Sequence, residues 1–158
     1  MNGEKKFDMG TYKGKFHPLN PSKYIGDKGD IIYRSSWEKS MMEYCDQKPY
    51  IMKWSSEPFA IPYYSSADQK MRRYFPDFLV EVKGKRETKI ILIEVKPFKE
   101  TKAPRKNKNK RRYLNECYTW QVNSDKWKAA EVFCEKQGWL FQKFTEYELG
   151  IKKRGNRT

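Results

Sequence analysis

Three polar residues at the ends of two apolar runs have the types and spacing of a hydrolytic site: Asp77, Glu94 and Lys96. Phe78 to Val82 and Lys89 to Val95 read as strands around the polar, glycine-containing loop Lys83–Thr88, as a β-hairpin requires. Alternation puts Asp77, Leu79 and Glu81 on one face of the first strand, and Ile90, Leu92, Glu94 and Lys96 on one face of the second. If Val82 pairs with Lys89, Asp77 lies opposite Glu94. Facing carboxylates repel. A cation between them would remove that repulsion, and Lys96 points to the same side. Mg²⁺ suits such a pair, because it takes oxygen ligands, keeps several waters and is commonly held by one or two carboxylates plus substrate phosphate. Bound there, it would polarise a phosphodiester and acidify a water, while the lysine orients that water or meets charge developing on the phosphate. The competing reading is a surface hairpin with a cross-strand Glu/Lys pattern. The facing Asp77, the preceding Pro76 and the apolar run Ile90–Ile93 favour the site.

The elements that must position these residues follow in chain order. Residues 1–30 form an extended arm with Phe7, Tyr12, Phe16 and Tyr24 spaced along it; it lies against this domain or a partner, or hangs free as a tail. Residues 31–150 make the functional domain and 151–158 a basic tail. Ile31-Ile32-Tyr33 is a short strand. Ser35 or Ser36 caps a helix running to about Asp46, with Trp37, Met41 and Tyr44 or Cys45 inward and Glu38 in its first turn, where the helix dipole favours an acid. Tyr50–Trp54 and Phe59–Tyr64 are strands, the second at an edge or bulged because Pro62 cannot donate to a ladder. Ser65–Lys70 is loop, and Met71–Phe75 leads into the hairpin. Arg111–Gln121 and Ser124–Lys136 are two helices or one kinked helix ending at Gly138. Trp139–Phe144 joins the sheet after this helical crossover, and Thr145–Glu148 starts a helix. Helix, strands with a central hairpin, helical segment and strand together predict an α/β fold: a mixed β-sheet flanked by helices.

Charge points to a polyanion. The chain has 158 residues and a formal net charge of +14. Lys102, Arg105, Lys106, Lys108, Lys110, Arg111 and Arg112 follow directly on the second hairpin strand, with no acid from Thr101 to Asn115. Such a run is either a solvated loop or a phosphate-binding track, and its position favours the track. Arg72 and Arg73, just before Asp77, either meet phosphate beside the cut or are ordinary solvated charges. No base-reading motif is present, so little sequence specificity is expected. Three cysteines without C-x-x-C spacing and the lone His17 argue against zinc and against a disulfide framework. The sequence has no apolar segment of signal-peptide or membrane-spanning kind, which predicts an intracellular protein without membrane contact.

Pro76-Asp77, sixteen intervening residues and Glu94-Val95-Lys96 resemble the signature of the PD-(D/E)xK nuclease superfamily. Ser35-Ser36-Trp37-Glu38 and then Trp54-Ser55-Ser56-Glu57-Pro58-Phe59, in that order before the motif, are similar to its TnsA-like branch, which includes transposon-end endonucleases. The likeness extends over residues 31–148, to nucleases of T-even-type tailed phages. It implies a restriction-endonuclease-like core and a Mg²⁺-dependent DNA nuclease, with Mn²⁺ as a substitute. Asp77 and Glu94 would hold the metal with the Val95 carbonyl, Lys96 would assist, and Glu38 would be an auxiliary acid. It further implies double-stranded DNA as substrate, phage portal or neck proteins as partners, and a place in the host cytoplasm and on the virion during head completion and head–tail joining. The alternative is a basic, non-catalytic DNA-associated capsid or nucleoprotein structural protein.

Overall fold

The computed structural model describes residues 12–153, so Phe7 of the arm and Arg154–Thr158 of the tail lie outside the described residues. Gly14–Lys15 (β1) pairs antiparallel with Ile32–Tyr33 (β2). The residues between them, irregular as their glycines and prolines dictate, are laid on the body of the protein. Phe16 and Tyr24 are each 8% exposed and both stack edge-on against Trp54, at 5.9 and 4.6 Å between ring centroids. The Ile25 amide donates to the Trp54 carbonyl at 2.9 Å. The amides of Leu19 and Asn20 donate to the carboxylate of Asp46, which is 1% exposed.

Helix α1 spans Ser36–Gln47. Its cap is Ser35, whose hydroxyl accepts the Glu38 amide hydrogen at 3.0 Å. Met41, Met42 and Cys45 are its fully buried face, while Trp37 is only half-buried. Ile51–Ser56 (β3) comes next. Ile61–Ser65 (β4) and Lys70–Tyr74 (β5) then form a two-stranded antiparallel ribbon, with Pro62 opposite Arg73. The edge position expected for Pro62 is therefore observed. The strand character of Lys70–Tyr74 is not legible from its side chains, because four of its five residues face solvent and only Tyr74 is buried.

Phe78–Lys83 (β6) and Thr88–Val95 (β7) form the hairpin with the expected register, Val82 opposite Lys89 and Phe78 opposite Ile93. Helix α2 is one uninterrupted element, Lys110–Gln137, capped by Asn109 and stopped by Gly138 at φ 75°. Nothing near Ser124 breaks it: the stretch lacks glycine and proline, and Gln121 bonds Asp125 one turn on. Leu140–Phe144 (β8) then runs parallel to β7. The sheet order is β3-β6-β7-β8, a mixed sheet of four strands with β6 and β7 at its centre. Thr145–Glu148 is a turn rather than a helix start, with Thr145 bonded to the Glu148 carboxylate through both its amide and its hydroxyl.

The pleat divides the sheet into two faces. Phe78, Val80 and Ile93 pack with Met41, Met42 and Cys45 of α1. Leu79 and Leu92 turn the other way, into a second core with Trp127, Ala130 and Cys134 of α2 and with Tyr63 and Tyr74 of the ribbon. The expected mixed sheet flanked by helices is therefore the observed architecture. Among the described residues no helix is long and apolar enough to cross a membrane.

Candidate active site

Asp77 sits one step beyond the last paired residue of β6, where the register continues to place it opposite Glu94. Its side chain does not merely face β7 but is bonded to it: Oδ2 accepts the Val95 amide hydrogen at 2.8 Å. Glu94 lies on the α2 face, 8% exposed. The hydroxyl of Tyr74 donates to its Oε2, and Lys96 Nζ stands 4.0 Å from its Oε1. Both acids belong to the end of the hairpin because alternation and a short, glycine-containing loop leave the strands no other register that buries Phe78, Leu79, Leu92 and Ile93.

Burial pushes the Asp77 carboxyl well above the usual carboxylate range, and the neighbouring charge of Glu94 adds to the rise. Burial likewise raises Glu94, against the Tyr74 hydroxyl and the cations Lys96 and Lys126, which favour its ionised form. The arrangement is therefore short of positive charge. Glu38, in the first turn of α1, accepts the Arg34 amide hydrogen at 3.0 Å and is itself raised by burial. Its charge raises both Asp77 and Glu94. Among the described residues, no group of three or more His, Cys, Asp or Glu side chains converges as a metal cage, so the acids at this site are a pair with Glu38 outside it. The two carboxylates offer hard oxygen donors, which fit a cation that keeps much of its water.

Two residues here carried no assigned chemistry in the sequence. Tyr74 is the last residue of β5, and its hydroxyl is raised by burial and by the Glu94 charge it bonds. Lys126 of α2 sits 5.8 Å over the Tyr74 ring and favours the ionised form of Glu94. Neither carries a local signal; both reach the site only because the β4–β5 ribbon and α2 share the second core with the sheet. Lys143, the register partner of Glu94 on β8, is spent otherwise, over the Trp127 indole at 4.2 Å.

Comparison with known proteins identifies the family. The description "TnsA-like endonuclease N terminal" matches residues 48–146, which include the whole hairpin and α2. The chain belongs to the TnsA-like endonuclease family. The "Head completion nuclease" of Enterobacteria phage T4 is 46% identical over 141 residues, 86% of this chain and 92% of that protein. This TnsA-like chain is therefore a nuclease acting on DNA, of a superfamily that depends on divalent metal.

The cations of this TnsA-like nuclease fall into two groups. Arg72 is held by Asp68 at 2.7 Å, an acid that also takes the Tyr118 hydroxyl, and Arg73 lies over the Phe75 ring at 5.1 Å. Both line a hollow with Lys126, between the ribbon and α2. Lys102, Arg105, Lys106 and Lys108 are exposed on the loop after a 3-10 turn at Phe98–Thr101, and Lys110, Arg111 and Arg112 are exposed at the start of α2. Cations there oppose the helix dipole, which costs about 0.3–1 kcal/mol each unless an anion docks against them. Arg112 is partly neutralised by Glu116 at 3.1 Å.

Proposed function

We propose that this chain is a Mg²⁺-dependent deoxyribonuclease that acts in phage head completion and head–tail joining. The observation that carries the catalytic reading is the Asp77–Val95 bond at 2.8 Å. It ties one acid of the pair to the strand bearing the other and leaves the second Asp77 oxygen for an ion. Asp77, Glu94 and the Val95 carbonyl would hold Mg²⁺, with Mn²⁺ as a substitute. The bound ion supplies Lewis acidity toward the scissile phosphate and acidifies a water.

The chain's own residues do the rest. Tyr74 holds the Glu94 carboxylate in one orientation. Lys96, beside Glu94, keeps its ammonium where it orients the attacking water and meets the charge that builds on the phosphate oxygens. Glu38 is an auxiliary acid whose charge strengthens the demand for a cation. Water adds to phosphorus as the bond to the leaving oxygen breaks, so no covalent enzyme intermediate is needed. Arg72, Arg73 and the cations from Lys102 to Arg112 hold duplex phosphates on either side. The name of the T4 relative supports the role in head completion. Portal or neck proteins as partners, and association with the virion, follow from that role.

The test is cleavage of plasmid DNA with and without Mg²⁺ by wild type, Asp77→Ala and Lys96→Ala. Metal-dependent cutting that both substitutions abolish is expected. Equal faint cutting by all three would leave only a basic DNA-associated capsid protein.

A further inference from the structure

A hollow of about 900 Å³ opens between the loop that follows Lys96 and the outer face of α2. Its apolar walls include Phe98 from the loop and Trp120 from the helix. Lys102, Arg105 and Arg112 stand around it, with Lys102 Nζ 5.3 Å over the Phe98 ring. Asn123, 7% exposed, also lines it, from α2.

Asn123 also lines the second hollow, with Arg73 and Lys126. Lys126 is the α2 cation that acts on Glu94. Thr119 and Asn123 line both hollows, so the aromatic hollow opens next to the one that Lys126 lines.

The hollow combines aromatic rings, cations and a side-chain amide. These are the groups that stack a base, hold its phosphate and bond its edge. Its volume lies within the range of pockets that enclose small ligands. In an intact duplex the base faces and pairing edges are hidden, so these groups suit an unpaired nucleotide. Resting on the nuclease reading above, we propose that this hollow receives an unpaired nucleotide of the strand being cut. The enzyme then prefers DNA with a single-stranded end or flap next to duplex.

Binding to a blunt duplex and to the same duplex with a short single-stranded tail would be measured by fluorescence anisotropy. The full chain would carry Asp77→Ala, so that it binds without cutting. The first unpaired base would be 2-aminopurine, and both tail polarities would be included. Tailed DNA should bind on the order of tenfold more tightly, the worth of one stacked base, with 2-aminopurine quenched for one polarity. Adding Trp120→Ala, Phe98→Ala or Asn123→Ala should remove both effects. Because Trp120 stacks edge-on against Trp127 at 5.9 Å, the exposed Phe98 and the Asn123 variant carry the test if the tryptophan variant misfolds. Equal affinity for blunt and tailed DNA, or a tail preference that survives in Phe98→Ala and Asn123→Ala, would overturn the proposal. If wild type cuts DNA while showing no tail preference, the nuclease reading stands and only this inference falls. A chain that neither binds nor cuts either DNA overturns both.

Discussion

Asp77 accepts the Val95 amide hydrogen at 2.8 Å, which ties its carboxylate to the strand that bears Glu94. The consequence is a stability that depends on pH and on metal. Both carboxyls are raised above their ordinary values, chiefly by burial. Below the ordinary carboxylate range they are protonated whether the chain is folded or not. As pH rises through that range toward the raised values, the unfolded chain releases protons that the folded chain keeps, so stability falls with rising pH. At neutral pH without metal, Asp77→Asn should therefore melt higher than wild type. Mg²⁺ at a hundredfold excess over its dissociation constant should stabilise wild type by about 2.7 kcal/mol, a rise in Tm of about 5–10 °C, and Asp77→Asn by much less. Thermal melts in chelator and in Mg²⁺ decide this; equal shifts in both proteins would mean that Asp77 holds no ion.

Tyr74 gives a sharper test of positioning, since Tyr74→Phe removes one oxygen and keeps the ring in the second core. Glu94 then loses its hydroxyl donor. Metal affinity should fall about 10–100-fold, as when a group that orients a ligand is lost. This is read from the Mg²⁺ dependence of cleavage. An unchanged Mg²⁺ midpoint would show that the carboxylate needs no such anchor.

The exposed loop cations should act through charge alone. Replacing Arg105, Lys106 and Lys108 with alanine should weaken DNA binding equally for unrelated sequences. The slope of log K against log salt should become shallower by about 0.9 per lost phosphate contact. A salt series on wild type and the triple variant measures it. An identical slope would mark the loop as solvated charge.

Asp46 anchors the N-terminal segment at the end of α1. It is 1% exposed and accepts the amides of Leu19 and Asn20 at 2.8 and 2.9 Å. Asp46→Ala should cost about 1–3 kcal/mol for the donors left unpaired and lower Tm by several degrees. Cleavage by the folded fraction at low temperature should be unaltered. A variant as stable as wild type would mean that the segment is not held by this carboxylate.

The hairpin, its register and the convergence of Asp77 with Glu94 were legible from the chain alone. Strand alternation and a short loop are local constraints, and a shift by one residue would turn every apolar side chain to the wrong face. The helix cap at Ser35, the stop at Gly138 and the edge position of Pro62 were readable for the same reason: each is stereochemistry within a few residues. Tyr74 and Lys126 were not readable. A tyrosine ending a polar strand and a lysine on a long helix acquire meaning only when the ribbon and α2 are packed on one sheet face. The same holds for Trp120 and Asn123, which look like ordinary helix residues until the basic loop is laid across them. The sequence by itself thus determined that Asp77 and Glu94 end the hairpin opposite each other. The tertiary structure decided what orients them and what lies beside them, because contacts between distant elements depend on which faces bury one another, and no short-range pattern encodes that choice.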